Sequence, residues 1–395
     1  MDKEELTQKI IQEAKELESY IIKTRQYIHM HPETLYEEEN TAKFIESELR
    51  KIGLQSQRIA GTGVLAVIEG SSKGNTTALR ADIDALNIRE ENITDYMSQI
   101  EGKMHACGHD AHTACLLGAA KLINKYREQL SGIVKFFFQP AEEGGGGAKK
   151  IVEEDHLKDV DTIFGLHVWI PLPSGIIGIR KGPVFASSDR FEIKIIGKGG
   201  HAAAPQQTID PTSVLVDIYN ALQKLIPREV DPFEQIVLSL PVLMASDAHN
   251  IIPNQAIIRG TLRTMNPEVR RYLIQRIEQI VEGYCAAWRC KGIVEFDPMA
   301  YPAVINDAKI VDNIRPLLQP VGQIKNMEQT MVGEDFSFYL QVAKGAFITL
   351  GIQNKEKGID FPHHHPKFNV DESVLWKGTA IYALLGFYNY FKDNL

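Results

Sequence analysis

Thr77-Ala78-Leu79-Arg80-Ala81-Asp82-Ile83-Asp84 is a short run that ends in two carboxylates, and its reading decides the fold. It follows the apolar run Val64-Leu65-Ala66-Val67-Ile68. A helical segment comes later, Thr113 to Tyr126, and then Gly132-Ile133-Val134-Lys135-Phe136-Phe137-Phe138-Gln139, whose length and aromatic content fit a buried strand. Strands alternating with helices predict an α/β domain with a mostly parallel or mixed sheet and helices on both faces. Ligands of such sheets gather at the carboxyl ends of the strands. The chemically interesting residues stand at those ends: Asp82 and Asp84, then Glu142 and Glu143, then His167 after the run Val160 to Leu166.

Between the second run and its helix lies Met104-His105-Ala106-Cys107-Gly108-His109-Asp110-Ala111-His112-Thr113. Three histidines, a cysteine and an aspartate crowd into ten residues. A thiolate and an imidazole two positions apart can reach one cation from a turn, and these donors suit zinc and its borderline-soft neighbours. The plainer reading is a histidine-rich loop with a buried free thiol.

Further out, residues 3 to about 55 read as helices, the last from about Thr41 to Ile52 with Gly53 as its cap. Pro32 breaks the intervening stretch Arg25 to Glu33, and His29 and His31 there read as packing or hydrogen-bonding residues. Around Gly182 to Asp189 the pattern changes. A half-exposed strand at Arg190 to Ile196, a helix at Asp210 to Leu225, strands near Gln235 to Met244 and Gln255 to Thr264, a helix opened by Pro267 and a strand near Gly292 to Phe296 give the order βαββαβ. That order predicts an inserted ferredoxin-like domain, residues 186–297, within a discontinuous catalytic domain of residues 1–185 and 298–395.

The composition narrows the partners. With 395 residues, 44% hydrophobic and 24% charged, the chain can bury two ordinary cores. The formal net charge of -8, with no dense Lys/Arg cluster, gives no attraction to nucleic acid or anionic lipid. The acidic start Met1-Asp2-Lys3-Glu4-Glu5-Leu6 does not read as a secretory signal, and no run reaches the roughly 18 apolar residues of a membrane span. Cys107, Cys115, Cys285 and Cys290 form no paired framework, so a reducing, cytoplasmic setting is expected, with Cys285 and Cys290 structural.

Gln139-Pro140-Ala141-Glu142-Glu143-Gly144-Gly145-Gly146-Gly147 sets two adjacent acids before four glycines. Neighbouring side chains of an extended or turning segment point in different directions, so one acid can hold a metal while the other faces a water. The commoner fate of such a pair is a solvated turn. No Gly-Lys-Ser/Thr ending follows the glycines, which argues against a nucleotide site. His167 alone would be a core histidine, and Phe361-Pro362-His363-His364-His365-Pro366-Lys367-Phe368 alone an exposed loop. Together Cys107, His109, Glu143, His167 and one of the terminal histidines supply donors for two divalent ions that share a ligand.

The segments His105 to Asp110, Gln139 to Gly144, Gly165-Leu166-His167, Gly197-Lys198-Gly199-Gly200-His201-Ala202-Ala203, Gly333-Glu334-Asp335-Phe336 and His364 to Phe368 resemble, in order, the M20 metallopeptidase superfamily. The likeness is to its amidohydrolase branch of aminoacylase-like, hippurate-hydrolase-like and auxin-conjugate-hydrolase-like enzymes. The resemblance implies a dinuclear centre with Cys107, His109, Glu143, His167 and His364 as ligands and Glu142 as general base. His364 is chosen because it stands two residues before the proline; His363 and His365 remain alternatives. Asp82 and Asp84 match an acidic pair behind the metals, either of which would orient an imidazole. His201 matches a histidine that polarises the scissile carbonyl, often from the other subunit of a dimer, and Asn250 and Arg263 match substrate-binding positions.

The implied activity is hydrolysis of N-acyl amino acids by metal-activated water, in a homodimer or higher oligomer formed through the inserted lid domain. Two divalent ions per subunit are expected, with zinc favoured by Cys107 and manganese, cobalt or nickel tolerated. A carboxypeptidase or dipeptidase acting on short peptides is the alternative, and a non-catalytic metal-binding module a third reading. The chain departs from the family's pattern in three places: Gln206 and Gln207 follow Pro205 where a histidine is common, Asn87 replaces a proline, and Thr34 replaces a leucine. None of them is a proposed ligand or the base.

Overall fold

A computed structural model describes residues 1–392. In chain order the first elements are α1 (Lys3–Glu16), α2 (Glu18–Met30), α3 (Glu39–Lys51), β1 (Ser56–Ile59), β2 (Gly63–Glu69), β3 (Ser72–Asp82), α4 (His109–Lys125), β4 (Ser131–Gln139), α5 (Gly147–Glu153), β5 (Thr162–Pro173) and β6 (Ile177–Ile179). Then come β7 (Gly182–Phe185), β8 (Asp189–Ile196), β9 (Gly200–His201), α6 (Pro211–Glu229), β10 (Ile236–Met244), β11 (Ile251–Ile252), β12 (Gln255–Thr264), α7 (Pro267–Ala287) and β13 (Lys291–Phe296). The chain closes with β14 (Val304–Asn306), α8 (Ala308–Leu318), β15 (Ile324–Asn326), β16 (Lys344–Gln353), α9 (Leu375–Gly386) and α10 (Tyr388–Lys392).

Two compact units result. One comprises Met1–Gly182, Ile305–Glu328 and the chain from Asp335 onward; the other comprises Pro183–Val304 and Gln329–Glu334. Residues 393–395, at the end of the expected catalytic domain, lie outside the described residues.

The first unit is built on an eight-stranded sheet of order β1-β2-β4-β3-β5-β16-β6-β15. The central pairs β4-β3, β3-β5 and β5-β16 are parallel, while β1-β2, β2-β4 and β16-β6 are antiparallel, so the sheet is mixed. Phe136 and Phe138 of β4, Phe164 and Leu166 of β5 and Ile348 and Leu350 of β16 are fully buried in one core. Helices α4 and α9 pack on each other and on β3 and β5, and α1 and α2 close over that pair. This burial explains why α9 (LWKGTAIYALLG) is apolar on nearly every side.

The second unit extends past the expected 186–297 to Pro183–Val304 and takes in Gln329–Glu334, and two element boundaries near the site also differ from the sequence reading. Helix α4 begins at His109, four residues before the expected start, because Gly108 at φ +90° turns the chain directly into it. A Cβ at Gly108 would lie 2.4 Å from Val168 Cγ2, so the close approach also requires glycine. Strand β5 runs on through Pro173, which places His167 inside the strand and not after it.

In the second unit β8, β10, β12 and β13 form an antiparallel sheet of order β10-β12-β8-β13. Each helix starts on a matched signal. Asp210 accepts from Thr212 N and Asn266 from Glu268 N, with proline at the first helical position of both α6 and α7. Their apolar faces, Val214, Ile218 and Leu222 on α6 and Leu273, Ile277 and Val281 on α7, close a core with Ile193, Ile195 and Ile258. Among the described residues no helix is long and apolar enough to cross a membrane.

Candidate metal centre

The ends of β3 and β4, the start of α4, the middle of β5 and the 361–368 turn converge in the first unit. Cys107, His109 and His167 place a donor atom each within 4.8 Å of one another, as do Cys107, Glu143 and His364, and also His109, Glu142 and Glu143. The first two groups share Cys107, and together their five residues would suit two divalent ions.

Hydrogen bonds settle which ring atoms face this centre. His109 Nδ1 donates to Asp84 O (2.9 Å) and Asp84 Oδ1 (3.1 Å), leaving Nε2 inward. His167 Nδ1 donates to Val168 O (2.5 Å), so its Nε2 lone pair faces Cys107 Sγ at 3.5 Å. His112 Nε2 accepts from Val168 N (2.8 Å), and its Nδ1 therefore donates to Asp82 Oδ1 (2.5 Å). The two aspartates are thus separated by role: Asp84 orients His109 and also accepts from Glu143 N (3.0 Å), whereas Asp82 is held between His112 and Arg80 Nη1 (2.7 Å).

Of the three terminal histidines, His364 reaches the cluster, with Nε2 3.0 Å from Glu143 Oε1. Its φ of +66° turns it away from the course of its neighbours. His363 packs between Trp169 and Phe368 and accepts from Ile170 N (3.3 Å), while His365 stacks on Phe361 and accepts from Lys367 N.

The Glu142-Glu143 pair is not a solvated turn. Glu142 is 7% exposed, and Asp335 N donates to its Oε1 at 3.4 Å. A tight loop produces this. Ala141 adopts φ +52°, its carbonyl accepts from Gly147 N (3.2 Å), and a Cβ on Gly147 would lie 1.7 Å from Pro140 O.

The electrostatics fit a cation. Asp82, Asp84, Glu142 and Glu143 lie together, and the guanidinium of Arg80 is shared between Asp82 and Asp335 (2.9 Å). Burial works to raise the Asp82 pKa, but Arg80, His109 and His112 outweigh it and hold the carboxyl well below its usual range. Burial likewise opposes ionisation of Glu143, and His364 and His109 overcome it. His109 is pushed up to about 10, against burial, by Asp82 and Asp84. Burial, with the nearby Glu143, Glu142 and Asp82 carboxylates, pushes the Cys107 thiol up, so its thiolate needs a positive charge beside it. Among the described residues, buried His109 Nε2 has no hydrogen-bond partner and stands 3.7 Å from Asp82 Oδ2 and 4.0 Å from Glu143 Oε1. An unpaired inward nitrogen among carboxylates, a thiol and further imidazoles is a donor set that suits zinc-like divalent ions.

Several further residues support the centre, and His29 is the hydrogen-bonding residue the sequence suggests. Arg25 Nε and His29 Nδ1 each meet Asp110 Oδ2 at 2.7 Å, which ties α2 to the residue after His109. Arg25, Glu38, His112 and the Gln139–Asp335 contact (2.8 Å) add supports that the motifs do not name. His112 carried a local signal, since it lies one turn after His109 on the same helix; the others are remote in the chain and carried none.

The remaining candidates belong to the second unit. His201 on β9 pairs in register with Ile251 on β11, and Ala202 N donates to Asn250 O (3.0 Å), so His201 and Asn250 share one small exposed ladder. Ala203 N donates to His201 Nδ1 (3.0 Å), which leaves the ring proton on Nε2. Arg263 lies apart from that ladder, on β12, half-buried, with Nη1 unpartnered among the described residues.

Comparison with known proteins identifies the family. Residues 78–386 match the model of peptidase family M20/M25/M40. Thermostable carboxypeptidase 1 of Saccharolobus solfataricus is 39% identical over 96% of this chain and 98% of its own. An N-acetylcysteine deacetylase of Bacillus subtilis is 37% identical over 92% of this chain and 95% of its own. The crystal structure of the Bacillus subtilis YXEP protein, described as a dinuclear metal binding peptidase from the M20 family, superposes with a TM-score of 0.82. It is 35% identical and covers 94% of this chain and 98% of its own.

Proposed function

Because the chain belongs to peptidase family M20/M25/M40, we propose that it is a metal-dependent amidohydrolase that splits N-acyl amino acids into a carboxylate and a free amino acid. Cys107, His109, Glu143, His167 and His364 are the residues that would hold two divalent ions, with Cys107 common to both groups. Such ions, when bound, lower the pKa of a water ligand and polarise a carbonyl. Thiolate with imidazole and carboxylate favours zinc, and manganese, cobalt and nickel are tolerated.

Glu142 is assigned as general base. It takes a proton from the attacking water and returns it to the leaving amine. The observation that carries this reading is the division between adjacent acids: Glu143 pairs with His364, whereas Glu142 stands within 4.8 Å of His109 and Glu143 and is positioned by Asp335 N. A metal-binding module has no use for that second buried carboxylate. Asp84 fixes the tautomer of His109, and Asp82 that of His112. In the second unit, the Nε2 proton of His201 suits donation to the oxyanion that forms on the substrate, and Asn250 and Arg263 suit its carbonyl and carboxylate.

Release of free amino acid from N-acetyl, N-benzoyl and indole-acetyl amino acids, compared with simple dipeptides, tests the substrate class. Turnover of the N-acyl compounds above dipeptides is expected. Preference for dipeptides would instead support the peptidase reading that the carboxypeptidase relative suggests. Four free cysteines suit a reducing cytoplasm. Outer strand β10, with Val237, Leu243 and Met244 exposed, suits a homodimer formed through the second unit.

A further inference from the structure

The segment just before α3 grips the catalytic loop at two points. Tyr36 Oη donates to Gly145 O (3.0 Å), and Glu38 Oε1 accepts from Ala141 N (2.9 Å). The other Glu38 oxygen accepts from Thr62 Oγ1, and the side chain is completely buried. The same segment reaches the neighbouring strand end, where Ala85 N donates to Glu33 O (2.8 Å) beside Asp84.

Ala141 is the residue in need of such a grip. It precedes Glu142 and sits at φ +52°, a conformation an L-residue adopts reluctantly and glycine adopts freely. Its buried N–H requires an acceptor, and the acceptor comes from a residue 103 positions away. A neutral amide would satisfy the same N–H. The acceptor is fixed in place because the Glu38 side chain is fully buried and held a second time by Thr62 Oγ1, which matters where the next side chain must be aimed at a reacting atom.

We infer that Glu38 is a positioning residue: its buried Oε1 holds Ala141 in the left-handed conformation and so aims Glu142. The inference rests on Glu142 being the general base. Glu38 touches no proposed ligand in the contacts described above, so its loss acts on the aim of Glu142 and not on the donor set.

The test uses the metal-loaded enzyme in four variants: E38A, E38Q, E38A/A141G and the control E142Q. For E38A, kcat is expected to fall about 10- to 100-fold, with KM within about 2-fold and bound metal per chain unchanged. E38Q, which still presents an oxygen to Ala141 N, recovers most of kcat. E38A/A141G exceeds E38A, since glycine needs no restraint to stay left-handed. Wild-type kcat in E38A, or loss of bound metal parallel to loss of activity, would overturn the inference, as would a double variant no better than E38A. Should E38A fail to fold, E38Q carries the test, because kcat as low as that of E142Q overturns it too. If E142Q itself keeps full activity, the general-base reading fails; if E142Q is inactive while E38A is normal, the positioning role alone fails.

Discussion

Asp84 carries two duties on one carboxylate, one oxygen on His109 Nδ1 and the other on Glu143 N. Replacing it by asparagine offers the imidazole an N–H donor and disfavours the tautomer that keeps Nε2 inward. D84N is therefore expected to weaken metal binding by about 10- to 100-fold, measured by competition with a chromophoric chelator. Unchanged affinity would show that His109 is oriented by the Asp84 carbonyl alone. The ligand candidates were legible in the chain because Cys, His and paired Glu announce their chemistry by residue type. Among three tandem histidines the proline two residues on singled out His364, and the 3.0 Å approach of its Nε2 to Glu143 Oε1 supports that choice. Glu38 and Arg25 were not legible, since each acts through a partner about a hundred positions away.

At the scale of elements, helix and strand types followed the hydrophobic pattern, and the errors fell at boundaries. The start of α4 was hidden by Gly108, His109 and Asp110, residues of modest helix propensity whose placement is decided by packing on β3 and β5. The end of β5 was hidden by Pro171 and Pro173, which read as breakers but continue a strand. Between β16 and α9, Asp371 pins the chain after the histidine turn. Its buried carboxylate accepts from Ser174 Oγ (2.7 Å), Asn354 Nδ2 (2.8 Å) and Lys357 Nζ (2.8 Å). Burial opposes its ionisation, but the bonds from Asn354, Lys357, Ser373 and Ser174 hold its pKa below the usual carboxylate range. A depressed folded pKa stabilises the fold above the unfolded value of about 3.9, and the contribution is lost as pH falls through the folded value. D371N is expected to cost about 1–3 kcal/mol near pH 7, with the gap to wild type shrinking below about pH 4 in denaturant titrations. A gap that does not change with pH would place the role in shape and not in charge.

For the whole molecule, a donor set rich in carboxylates ties stability to the cations. Ligand that binds only the folded state stabilises by about 2.7 kcal/mol at a hundred times its Kd. Removal of metal by a chelator is expected to lower Tm, zinc or manganese to restore it, and H109A to abolish the difference. Equal Tm with and without metal would argue against a site in this cluster. Assembly is tested at β10: L243K is expected to shift the chain toward monomer in light scattering, and an unaltered mass would remove this edge from the interface.

The most direct test of the amidohydrolase assignment is the rate of amino acid release from an N-acetyl amino acid by wild type and E142Q, each loaded to the same measured metal content. Metal-dependent turnover in wild type and a loss of about 10²- to 10⁴-fold in E142Q is the expected result. Equal rates in the two proteins at equal metal content would contradict the assignment of Glu142 and the mechanism built on it.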